Sequence, residues 1–138
     1  MFKQRICLAL LILLIVALTG GCSNPASTVR MYAGAELPKE DVTLLQPVKP
    51  ASIAFVDGKK LGGNDSAEVL PGEHKLMIKL STRFYYGAGW GGDMGYTDVS
   101  FVAQAGHVYK VHANFVGRVV QVWVVDAQSG EVVRGRPN

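Results

Sequence analysis

The chain of 138 residues holds two thiols, Cys7 and Cys22. A thiolate readily takes up a covalent group, and Cys22 follows Leu18-Thr-Gly-Gly21 directly, after an unbroken apolar run from Ile6 to Leu18. A disulfide would need Cys7, which lies inside that run. His74, His107 and His112 are the next candidates for chemistry. Zinc wants three or four N or S ligands, and no further cysteine joins these histidines. Five apart in one strand, His107 and His112 point to opposite faces, so all three read as satisfied structural side chains. Gly87-Ala-Gly-Trp-Gly-Gly92 spells G-x-G-x-x-G but leads into a strand, which removes the βαβ context of a dinucleotide site. There is no G-x-S-x-G nucleophile elbow, and Ser100 meets His107 only if strand pairing happens to bring them together. No enzyme, metal or cofactor is expected from these patterns.

The stretch Arg83 to Tyr96 (RFYYGAGWGGDMGY) is the most unusual in composition. One reading is a long hairpin whose glycines permit tight packing and whose aromatics lie on a sheet. The other is a binding loop in which Tyr85, Tyr86, Trp90 and Tyr96 stack on sugar rings or grip a partner, as large aromatic faces do. Both readings stay open at this level.

The segment before Cys22 explains the cysteine. Met1-Phe-Lys-Gln-Arg5 is basic, the apolar run spans 13 residues, and small residues close it at Thr19, Gly20 and Gly21. That is the order of a secretory signal, and the run is short of the ~20 apolar residues a membrane-spanning helix needs. Leu18-Thr19-Gly20-Gly21-Cys22 resembles the lipobox of bacterial lipoproteins. The resemblance implies cleavage before Cys22, a diacylglyceryl group on its sulfur and an acyl chain, such as palmitate, on its new amine. Ser23 after the cysteine implies sorting to the outer membrane, facing the periplasm. Two or more acyl chains anchor a protein stably where one does so only marginally. With Lys3 and Arg5 removed, the formal charge falls from +3 to +1, and no basic cluster interleaves with aromatics, so nucleic acid is not an expected partner.

The remaining chain carries the elements. Ser23 to about Leu37 lacks apolar periodicity and reads as a tether, and Pro38-Lys-Glu-Asp41 as one helical turn. Ile53–Val56 reads as a strand ended by the hairpin signal Asp57-Gly58, and Ala67–Leu70 as another stopped by Pro71-Gly72. In the next run, His74, Leu76, Ile78 and Leu80 alternate with Lys75, Met77, Lys79 and Ser81, so a strand with one buried face is expected. Val99–Ala103 follows. His107, Tyr109, Val111, Ala113 and Phe115 then alternate with Val108, Lys110, His112 and Asn114. Val119–Val125 is apolar on both faces, and Asp126–Gly130 turns it back to Glu131–Val133.

Seven or so short strands with evenly spaced turns predict an all-β fold: a single small antiparallel β-sandwich over residues 38–138. It would follow the signal at 1–21 and the lipidated tether at 22–37. Val56-Asp57-Gly58-Lys59 and Leu70-Pro71-Gly72-Glu73-His74-Lys75-Leu76 resemble PEGA-type β domains of bacterial envelope proteins. Softer similarity runs through Ala105–Tyr109 and Val124–Asp126. The resemblance implies a small sandwich module without chemistry of its own. The expected function is therefore that of an envelope lipoprotein, held to the membrane by its lipid and acting as a structural or binding part. Its partner would be an envelope protein or, through residues 83–96, a glycan such as peptidoglycan. An envelope enzyme is the remaining alternative.

Overall fold

The computed structural model describes residues 27–62, 65–81, 94–117 and 119–135. Among them are ten strands and no helix: β1 Thr28–Arg30, β2 Thr43–Pro47, β3 Ala51–Val56, β4 Lys59–Lys60, β5 Ser66–Val69, β6 Gly72–Ser81, β7 Met94–Ala103, β8 Val108–Val116, β9 Val119–Asp126 and β10 Val132–Arg134. Each of the seven expected runs is a strand. The count of seven is nevertheless too low, because β1, β2 and β4 carry no alternation long enough to be read. β2 places Leu44 and Leu45 side by side and ends at Pro47, while β4 is two lysines closing the Asp57-Gly58 hairpin. The helical turn expected at 38–41 is a single turn, in which the Asp41 N–H donates to the Pro38 carbonyl at 3.0 Å.

The strands form two sheets, in the orders β1-β5-β2-β8-β9-β10 and β4-β3-β6-β7. The smaller sheet is wholly antiparallel. The larger is mixed, which corrects the all-antiparallel expectation: β1 runs parallel to β5 and β2 parallel to β8. Both parallel pairs join segments distant in sequence, which no local turn signal announces. β1 also shortens the expected tether. Val29 and Met31 pack against the core, and the Met31 N–H donates to the Glu68 carbonyl at 2.9 Å. Tyr32 donates its hydroxyl to Glu68 at 2.6 Å.

One apolar cluster draws on both sheets. Leu76, Ile78 and Leu80 on β6 are fully buried, as the alternation requires, with Lys75 exposed and Lys79 half-exposed on the other face. Tyr109, Val111 and Ala113 do the same on β8, and Val99, Phe101 and Ala103 on β7. The Phe101 and Tyr109 rings meet edge-on between the sheets, with centroids 5.0 Å apart. Such a pair contributes about 0.5–1.5 kcal/mol beyond its burial. Only Val124 and Asp126 of β9 are buried, so its second face is partly covered rather than closed.

Candidate functional site

The Asp57-Gly58 turn is built as its residues suggest. Both have positive φ, 50° and 78°, which is the two-residue hairpin conformation that Asp-Gly favours. The turn also places the Asp57 carboxylate beside the start of β6. One oxygen accepts the Lys75 N–H at 2.8 Å, and the other sits 2.6 Å from His74 Nδ1. His74 Nε2 lies 2.6 Å from the Leu70 carbonyl oxygen, which can only accept. The ring therefore bridges the Asp57 carboxylate and the Leu70 carbonyl and ties two turns together. Burial alone would raise the Asp57 carboxyl, but the Lys75 N–H and the His74 ring outweigh it and hold it below the ordinary value. The separate motifs around Asp57 and His74 are thus one physical unit.

A second unit repeats the arrangement. His107, just before β8, places Nδ1 2.6 Å from Asp126 Oδ2 at the end of β9. The other Asp126 oxygen accepts the Gln128 N–H at 2.9 Å, closing the turn toward β10. Asp126 is buried, and this alone would raise its carboxyl; the Gln128 N–H and the His107 ring bring it below the usual range instead. The His107 ring packs beside Tyr109, whose hydroxyl accepts the Gln104 N–H at 3.1 Å. Thr43, buried on β2, donates to the Gln104 carbonyl at 2.6 Å. Each partner thus fixes a chain reversal at this end of the fold.

The second pair faces an open groove of about 670 Å³, lined by Glu73, Ser100, His107, Asp126, Glu131 and Arg134 among others. Strand pairing has therefore brought Ser100 and His107 to the same groove. A nucleophilic dyad would need a hydroxyl hydrogen-bonded to the ring, and among the described residues no such bond links Ser100 or Ser129 to His107. Ser129 Oγ instead accepts the Glu131 N–H at 3.2 Å. The groove offers charge and hydrogen bonding more readily than a reacting group.

Tyr96 lies on β7 opposite Lys79 and is 54% exposed. Cys22, Tyr85, Tyr86, Trp90 and the G-x-G-x-x-G stretch at 87–92 lie outside the described residues. His112 points away from the core and stacks on Trp123 at 5.2 Å. Burial, with Lys110 nearby, lowers its proton affinity. Among the described residues no group of three His, Cys, Asp or Glu side chains is placed to hold a metal ion. Sequence reasoning missed Asp57 and Asp126 as partners of the histidines. The available signal was an aspartate ending a strand at one turn and a histidine opening a strand at another. No family model, no curated protein and no solved structure matches the chain.

Proposed function

We propose that the chain is a cell-envelope lipoprotein, anchored through acylated Cys22 at the outer membrane and facing the periplasm. Its two sheets act as a small sandwich with a binding or structural role rather than a catalytic one. The observation that carries the non-catalytic reading is the repetition of the His–Asp pair. In both copies the carboxylate also accepts a backbone N–H, at Lys75 in one and Gln128 in the other. A catalytic pair is built once, at a reacting centre; a fastening can be used wherever a turn must be held. The groove beside His107 supports binding, with carboxylates and valines together on its walls.

Mass spectrometry of the mature N-terminus tests the anchor: lipid on Cys22 is expected, and Cys22→Ser abolishes it. An unmodified Cys22, or a mature chain starting elsewhere, refutes this reading. The glycan alternative keeps one specific support, the exposed phenol of Tyr96 beside the 82–93 connection. Retention on purified peptidoglycan, lost in Trp90→Ala and Tyr96→Ala, would favour it.

A further inference from the structure

The groove is lined by three consecutive residues of β7, Ser100, Phe101 and Val102, and three of β10, Val132, Val133 and Arg134. A strand that presents a face contributes alternate residues; one that contributes consecutive residues presents its backbone edge. Both strands end their sheets, so each has one side unpaired among the described residues. We propose that this slot takes up an extended peptide segment of another protein, carrying basic and aliphatic side chains in alternation, which pairs with the free edge of β7.

The direction of the β7 backbone groups follows from its neighbours. Lys75 donates its N–H to the Asp57 carboxylate and accepts the Asp57 N–H at 2.8 Å, so its main chain faces β3. His74 and Leu76 therefore face β7, where they pair with Phe101 and Val99. The N–H and C=O groups of Ser100 and Val102 then point to the open side, because residues directly opposite alternate along an antiparallel ladder. Val99, Phe101 and Ala103 are buried, which puts the Ser100 and Val102 side chains on the outer face. Two N–H and two C=O groups are thus available for strand addition.

The walls select the side chains of the incoming strand. Val102 is 66% exposed, and Val132 and Val133 are 37% and 38% exposed, an apolar rim on both sides of the slot. Glu73 lies opposite Val102 in register, and Glu131 lines the other wall. His107 is already occupied by Asp126, so among the described lining residues Glu73 and Glu131 outnumber Arg134. The excess negative charge favours a basic peptide over an acidic one.

This inference rests on the binding-module reading, but its test is separate from the lipid on Cys22. The probe is the capped hexapeptide Lys-Val-Lys-Val-Lys-Val, added to the full chain in detergent micelles, with Glu-Val-Glu-Val-Glu-Val as control. Hydrogen–deuterium exchange at the Ser100 and Val102 amides is expected to slow at least tenfold with the lysine peptide and little with the glutamate one. Val102→Pro removes an outward N–H and leaves the β6–β7 ladder intact, so it should weaken binding at least tenfold. Should that variant fail to fold, the double variant Glu73→Gln, Glu131→Gln should erase the preference between the two peptides. Unchanged exchange at saturating lysine peptide overturns the proposal. So does protection that rises with protein concentration alone, which would make a second copy the occupant, or protection already present without peptide at any concentration.

Discussion

Replacing Gly95 tests how the two sheets close on each other. A Cβ added at Gly95 on β7 would overlap Val120 Cγ2 on β9 and stand 3.3 Å from Phe115 Cε1 on β8. Carbon atoms pack best at about 3.5–4.0 Å, so Val120 must retreat by roughly 1 Å or the sheets must part. Overpacking of this kind costs about 1–3 kcal/mol. Alanine in a strand otherwise gains about 0.5–1 kcal/mol over glycine, which leaves Gly95→Ala less stable by up to about 2.5 kcal/mol. Val120→Ala deletes the atom in the way and by itself should cost about 1–2 kcal/mol, since Val120 is partly buried against the core. In the double variant the new methyl has room, so the two losses should fall short of their sum by about 1 kcal/mol. Urea unfolding of the four proteins, followed by tryptophan fluorescence, measures each term. A gain in stability from Gly95→Ala, or two losses that simply add, would show that the sheets do not meet at this point.

Ile78→Ala, at a fully buried position, should cost about 2–5 kcal/mol. Lys79→Ala, on the outer face, should stay within about 0.5 kcal/mol in the same unfolding assay. The Asp57 and Asp126 carboxyls are both held below their ordinary values. On acidification the unfolded chain therefore takes up protons first, and stability present above about pH 4 is lost as pH falls further. Asp126→Asn should flatten that acid limb in unfolding midpoints measured from pH 6 to 3; an unchanged limb would contradict it. His112 is also held low, by burial and then by Lys110. Stability should thus decline as pH drops from about 7 toward its folded value, and His112→Gln should remove that slope.

The readings that came directly from the sequence were those decided by neighbours along the chain. The period-two pattern of 74–80 determined which side of β6 is buried, because successive strand side chains point to opposite faces. Asp57-Gly58 determined a hairpin, because both residues tolerate positive φ. The strands at 53–56, 67–69, 74–80, 99–103, 108–115, 119–125 and 132–133 follow from the same local rules. What those rules could not supply was pairing across long separations. β1 exists because Thr28–Arg30 aligns with Ser66–Glu68, and β2 because it lies between β5 and β8. Their residues carry no strand pattern of their own. The histidines show the same division: their types and turn positions are plain in the chain, yet Asp57 and His74 are 17 residues apart and His107 and Asp126 are 19. Only the folded sheets bring each ring to its carboxylate. The groove is the furthest from sequence of all, since it consists of the backbone edges left where β7 and β10 end their sheets. Every residue has the same backbone groups, and strand order alone decides which of them remain free.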